Sequence, residues 1–170
     1  MTDAGRQRRR QVTLFVPPDA GQAIEAVRAR VDPLQHRLIA AHVTLCREDE
    51  RAGQAEDAWR DRLIAATVAP VTLTFGAPVS FSGHGVMLPC IAGEPAFHAL
   101  RVQLLGDTAR RRHEPHLTLA HPRNPRAPQN VPATYADLIT PINLTFTTAC
   151  LIEQSGDDAW QVLGTQALRG

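Results

Sequence analysis

The chain has 170 residues, of which 44% are hydrophobic, a length and composition that fit one globular domain or two small lobes sharing a core and that exclude a disordered chain. All 18 basic residues are arginine, so the chain lacks the lysine that P-loop NTPases, Schiff-base enzymes and ligases with a lysine-bound nucleotide require. The net charge of +1 and the aromatic content of 5% argue against wholesale duplex binding and against an extended base-stacking platform.

The first ten residues differ in charge from the rest of the chain. They hold four arginines and one aspartate, and no apolar run precedes residue 11. We therefore predict a flexible basic tail over 1–10 and a single folded domain over 11–170. No stretch approaches the length of a membrane span, and the three cysteines are widely spaced in apolar segments. A cytoplasmic protein with unpaired cysteines and no membrane association is expected.

The first half of the chain alternates strand and helix signals. Residues 11–16 alternate like a strand, and 20–31 carry a helical stripe of Ile24, Val27 and Val31. Residues 37–46 are predicted to form the next strand, and 55–68 a helix that ends before Pro70.

The second half is richer in strand signals. Runs at 71–75, 78–81 and 85–91 predict consecutive antiparallel pairings. A helix is predicted to begin at Pro95 and to stop at Gly106, with Phe97, Leu100, Val102 and Leu104 or Leu105 as its apolar stripe. A strand at 115–121 and a proline-rich connection follow, with a short helix near 135–139. Two strands, 142–154 and 159–164, close the chain through a hairpin turn. This succession predicts an α+β fold with mostly antiparallel sheet.

Two copies of one short motif, His-Val-Thr-Leu and His-Leu-Thr-Leu, stand out in this pattern. His42 and Thr44 are two residues apart, as are His116 and Thr118, and each pair lies on a predicted strand that follows a helix. Side chains at i and i+2 share one face of a strand, so each polar pair can face a groove while its apolar neighbours face a core. This repetition suggests a duplication with pseudo-two-fold symmetry.

Two histidines and two hydroxyls in one cleft suit phosphodiester chemistry. One imidazole can take a proton from the attacking group while the other gives a proton to the leaving oxygen. Threonine hydroxyls can donate to the non-bridging phosphate oxygens as they gather charge. This scheme requires neither a metal ion nor an organic cofactor.

The paired motifs resemble the H-x-T-x signature of the two-histidine (2H) phosphoesterases, in particular the LigT-like branch of 2'-5' RNA ligases and RNA 2',3'-cyclic phosphodiesterases. The resemblance covers nearly the whole chain and implies a bilobal α+β fold, with helices outside the sheets and a central groove. It implies metal-independent opening of 2',3'-cyclic phosphates of RNA ends or nucleotides to 2'-phosphates, and some relatives also join 2'-5' linkages without ATP. A monomer is expected.

The resemblance also implies roles for individual residues. His42 and His116 would be the catalytic acid and base, in an order that the sequence leaves open, and Thr44 and Thr118 would bind phosphate. Many relatives have an arginine where this chain has His121, and Arg123 is the candidate to replace its phosphate contact.

Three other interpretations remain open from the sequence. The fold could serve a non-catalytic RNA-end or nucleotide-binding module, or an enzyme for a small cyclic phosphodiester that is not RNA. A metal site of His113, His116 and His121 would need irregular backbone to converge, so no metal ligand is predicted.

Overall fold

Two antiparallel sheets and four helices make up the part of the chain that the computed structural model describes, residues 7–51, 53–106, 112–124 and 131–169. The helices are α1 (Pro18–Val31), α2 (Pro33–Leu38), α3 (Glu56–Ala65) and α4 (Glu94–Leu105). The strands are β1 (Arg8–Phe15), β2 (His42–Cys46), β3 (Val71–Phe75), β4 (Val79–Phe81), β5 (Gly85–Ala92), β6 (His116–Ala120), β7 (Ile142–Phe146), β8 (Thr148–Ser155) and β9 (Gln161–Ala167). The predicted α+β class with mostly antiparallel sheet is confirmed.

The two motif strands belong to different sheets. The first sheet has the order β2-β1-β8-β9, which places β2 at its edge. The second sheet has the order β4-β5-β3-β7. The strand β6 belongs to this sheet too: β5 pairs with β4 along one edge and with β6 along its other edge. The strands β2 and β6 lie close to each other where the two sheets meet.

The prediction of one strand over 37–46 is wrong for the residues before His42, because α2 occupies 33–38. Asp32 ends α1, and its carboxylate then accepts the N–H of Gln35 at 3.2 Å, while Pro33 fills the first turn of α2. The same two residues therefore stop one helix and start the next. The stripe of α1 is buried as predicted.

The predicted strand over 142–154 forms two strands in different sheets. β7 pairs with β3, whereas β8 pairs with β1, and Thr147 alone separates them. β3 also pairs with β5 rather than with its chain neighbour β4. The predicted consecutive pairing thus holds for β4 and β5 but is wrong for β3 and β4.

The N-terminal strand begins earlier than predicted. Arg8, Arg9 and Arg10 lie in β1 and pair with β8, so the predicted tail is too long by these three residues. The Arg10 guanidinium donates to Glu153 at 2.6 Å, which gives this basic segment a partner within the sheet. Residues 1–6 lie outside the described part of the chain.

A hydrophobic core joins the faces of both sheets to α1, α3 and α4. Its largest fully buried side chains include Trp59, Tyr135 and Phe97. Tyr135 ends a short 3-10 helix, Pro132–Tyr135, where a short helix near 135–139 was predicted. Val102 is 56% exposed and is not part of the buried stripe of α4. No helix in the described residues is long and apolar enough to cross a membrane.

Candidate active site

The two motifs bring their polar side chains to one cavity of about 290 Å³. His42 and Thr44 reach it from β2, and His116 and Thr118 reach it from β6. All four are half-buried, whereas the alternating residues Val43, Leu45, Leu117 and Leu119 are buried in the core. The period of two along each strand therefore separates the site from the core.

His42 and His116, the two candidate catalytic histidines, are held in the same way. The Nδ1 atom of His42 lies 2.8 Å from the carbonyl oxygen of Ala40, and that of His116 lies 3.0 Å from the carbonyl oxygen of Glu114. A carbonyl oxygen can only accept, so Nδ1 carries the proton in both rings and Nε2 is left for another partner. Each histidine has a reactive nitrogen that can accept a proton when neutral and donate one when charged.

A phenylalanine stands beside each of these imidazoles. The Phe15 and His42 ring centroids are 6.2 Å apart, and those of Phe81 and His116 are 6.0 Å apart. The phenylalanine restricts each imidazole on one side while the backbone carbonyl fixes the rotation of the ring. The two halves of the site therefore repeat in detail, beyond the motif itself.

Two residues of α1 brace the segment that leads into His42. Arg28 is buried, donates to the carbonyl oxygen of Ile39 at 2.8 Å and forms an ion pair with Glu25 at 2.8 Å. Glu25 in turn accepts the N–H of Ala41 at 2.5 Å. The backbone on both sides of the Ala40 carbonyl is therefore fixed, which fixes the acceptor of the His42 ring.

Burial lowers the pKa of His42 to about 4. The hydrogen bond to Ala40 opposes this shift, and the positive charge of Arg28 and the neighbouring His116 add to it. In the free protein His42 is therefore uncharged at neutral pH. A bound anion such as phosphate would stabilise its charged form.

Contacts between the two motif regions hold the cleft together. The Nε2 atom of His113 lies 2.9 Å from the carbonyl oxygen of Thr44, and burial lowers the His113 pKa, so a neutral ring donates here. Arg101 of α4 donates to the carbonyl oxygen of Leu45 and forms a buried ion pair with Glu50. These bonds position β2 relative to the elements around β6.

The other two histidines near the second motif, His113 and His121, have partners different from that of His116. His113 binds the backbone of β2, whereas Nδ1 of His121 accepts the N–H of Arg123 at 3.1 Å. No group of three or more histidine, cysteine, aspartate or glutamate side chains in the described ranges is placed to hold a metal ion.

Residues from distant parts of the chain complete the cavity. Arg123, His121 and Phe81 line it. Several residues that the sequence did not single out for the site line it as well: Arg9, Gln11, Arg28, Asp32, Gln35, Ile39 and Trp160. Asp32 accepts the N–H of His121 at 2.8 Å, which ties the end of the second motif to the start of α2. Three consecutive arginines precede the second motif: Arg110 and Arg111 lie outside the described residues, and the exposed Arg112 pairs with Glu114.

A wider groove of about 700 Å³ adjoins the cavity at Thr44 and His116. Its other lining residues include Arg47, Glu48 and Asp49, and Arg47 forms an ion pair with Asp49 at 3.2 Å. Thr44 and His116 thus stand between a cavity rich in arginine and a groove that carries carboxylates.

Comparison with a family model matches residues 16–158 to the 2'-5' RNA ligase superfamily. A comparison with curated protein sequences finds no match.

Solved structures share the fold over nearly the whole chain. E. coli LigT complexed with NADP+ has a TM-score of 0.66 at 22% identity, with 98% of this chain and 100% of that chain covered. E. coli LigT complexed with phosphate has a TM-score of 0.64 at 19% identity, with the same coverage. TT0787 of Thermus thermophilus has a TM-score of 0.58 at 18% identity, with 95% and 98% covered.

Proposed function

The chain belongs to the 2'-5' RNA ligase superfamily of two-histidine phosphoesterases, and from this premise we propose that it opens the 2',3'-cyclic phosphate of RNA ends or nucleotides to a 2'-phosphate. The observation that carries the proposal is the repeated arrangement in one cavity: two imidazoles anchored through Nδ1, each with a threonine two residues on. Such a pair can serve two opposite sides of one phosphorus atom.

The proposed reaction is an in-line displacement by water. One imidazole accepts the water proton through Nε2 as the new P–O bond forms, and the other gives a proton to the 3' oxygen as the old P–O bond breaks. The hydroxyls of Thr44 and Thr118 donate to the non-bridging oxygens, which gather charge in the transition state. The products are a 2'-phosphate and a free 3'-hydroxyl. Proton transfer and hydrogen bonding supply the catalysis that a metal ion supplies elsewhere.

The same site could join RNA ends. If the 5'-hydroxyl of a second RNA takes the place of water, the same bond to the 3' oxygen breaks and a 2'-5' linkage forms. The phosphodiester bond count is unchanged, so ATP is not needed, and the chain has no lysine to carry an adenylate.

The nucleotide part of the proposal rests on the relatives and on the charge of the cavity. Crystal structures of E. coli LigT are complexes with phosphate, 3'-AMP, NADP+ and ATP. Here Arg9, Arg28 and Arg123 line the cavity, and guanidinium groups suit phosphate. Free Cys46, Cys90 and Cys150 are consistent with a cytoplasmic location, which we include in the proposal.

Turnover of nucleoside 2',3'-cyclic monophosphates in excess EDTA tests this function. The parent protein should form 2'-phosphates, and His42→Asn and His116→Asn should each reduce kcat by about 10²–10⁴-fold because each removes one proton carrier. His84→Asn, at an exposed turn between β4 and β5, is the matched control. Activity that disappears with EDTA, or that survives both substitutions, would contradict the proposal. Binding without turnover by the parent would instead indicate a binding module.

A further inference from the structure

One end of the cavity has a set of polar groups that the cyclic phosphate reaction does not use. Arg9, His121 and Arg123 all line the cavity, and the charges of Arg123 and Arg9 both act on the His121 imidazole. Arg28, by contrast, donates to the carbonyl oxygen of Ile39 and pairs with Glu25, beside the segment that leads into His42. The cavity therefore has two cationic regions.

Arg9 is held in place although it lies on a predicted tail segment. Its guanidinium donates to the side-chain oxygen of Gln154, its partner across β1 and β8, and lies 5.4 Å from the ring centroid of Trp160. A guanidinium fixed by one acceptor and one aromatic face loses little further freedom on binding, and it keeps N–H groups for a ligand. No acidic side chain in the described residues pairs with it.

His121 offers a donor of fixed direction to the same end. Its Nδ1 accepts the N–H of Arg123, so the proton of the neutral ring sits on Nε2. Its backbone N–H is bound by the buried carboxylate of Asp32. Burial, followed by the charge of Arg123, lowers the His121 pKa, which favours the uncharged ring. The imidazole is therefore a neutral donor at this end of the cavity.

The strand geometry separates this end from the reacting phosphate. Thr13 of β1 stands opposite Thr44, and Arg9 lies four residues further along β1, which a strand spans in roughly 13 Å. His121 lies three residues beyond Thr118, roughly 10 Å along an extended chain. The backbone of Arg9 and that of His121 therefore lie well beyond the threonines that would hold the reacting phosphate.

We propose that Arg9, His121 and Arg123 form a second anion-binding subsite, which holds the 5'-phosphate of the nucleotide that carries the cyclic phosphate. This inference rests on the proposed function and narrows its substrate class. The preferred substrate is an RNA 3' end, or a nucleotide with a 5'-phosphate, rather than a nucleoside cyclic monophosphate.

The test compares adenosine 2',3'-cyclic monophosphate with the same compound carrying a 5'-phosphate. The parent should favour the 5'-phosphorylated substrate by roughly tenfold or more in kcat/KM, mainly through KM, because charge-assisted hydrogen bonds are added. Arg9→Gln and His121→Leu should bring the ratio close to one, while His121→Gln, which keeps a donor near the position of Nε2, should retain part of it. Arg60→Gln, at an exposed site on α3, is the matched control and should keep the full preference.

Binding separates this subsite from the reaction itself. By calorimetry, adenosine 2',5'-bisphosphate should bind roughly tenfold or more tightly than adenosine 2'-monophosphate, and Arg9→Gln should remove the difference. Equal affinities, or a difference that survives Arg9→Gln, would overturn the subsite even if both cyclic substrates are opened. A parent that opens neither substrate yet shows this difference would overturn the proposed function and support the subsite.

Discussion

Replacing His42 with asparagine should change how the stability of the protein depends on pH. The asparagine amide can replace Nδ1–H as the donor to Ala40, but it does not titrate. In the parent, the pKa of His42 is lowered from 6.5 to about 4. Between these two values the unfolded chain binds a proton that the folded protein does not. The parent therefore loses stability as the pH falls from 6.5 towards 4, whereas the variant has no such loss from this position.

The size of this effect follows from the shift. A lowering from 6.5 to about 4 corresponds to about 3 kcal/mol, at 1.36 kcal/mol for each pH unit. Carboxyl groups also titrate near pH 4, but they do so in both proteins and cancel in the comparison. From pH 7 to pH 4, the unfolding free energy of the parent should thus fall by about 3 kcal/mol more than that of His42→Asn.

Urea unfolding followed by circular dichroism at several pH values measures this difference. His84→Asn removes an exposed histidine and should follow the parent at every pH. NMR titration of the His42 ring provides an independent value, with an expected midpoint near 4. Parallel stability curves for His42→Asn and the parent, or a midpoint near 6.5, would refute the claim that burial keeps this imidazole neutral.

Two further sets of substitutions test the hydroxyls and the link between the motif regions. Thr44→Val and Thr118→Val should each lower kcat by about 10²–10³-fold, because each removes one hydrogen-bond donor to the transition state. Thr72→Val, on the exposed face of β3, should leave kcat unchanged. An unchanged kcat in both motif variants would exclude a role of the threonine hydroxyls in catalysis. Arg101→Met should lower the free energy of unfolding, measured in urea, by about 3–5 kcal/mol because Glu50 is left buried without this ion-pair partner. Adding Glu50→Leu should restore most of the lost stability. A loss under about 1 kcal/mol in Arg101→Met would contradict a stabilising role of this ion pair.

The motif strands could be predicted because their information is local. In β2 and β6 the apolar residues alternate with histidine and threonine, and the period of two decides which side chains share a face. The stripe of α1 is equally local. These patterns predict the class of fold and bring the four motif residues to one face of each strand, but they do not show how the two strands meet.

The supporting residues could not be predicted because their partners are distant in the chain. Glu25 and Arg28 look like an ordinary surface pair on a helix, yet Arg28 is buried against the carbonyl of Ile39. Arg9 sits in a run of arginines typical of a solvated tail, and only its pairing with β8 brings it into the cavity. The start of α2 did have a local signal, because Asp32 followed by Pro33 is a common way to begin a helix as well as to end one.

The central claim is that His42 and His116 act together on one phosphorus atom, and a double-variant cycle tests it most directly. In excess EDTA, kcat for the favoured cyclic phosphate is measured for the parent, His42→Asn, His116→Asn and the double variant. If the two imidazoles work as a unit, each single substitution removes most of the catalysis and the double variant is little slower than either. Losses that multiply in the double variant would show two independent contributions and would contradict the account.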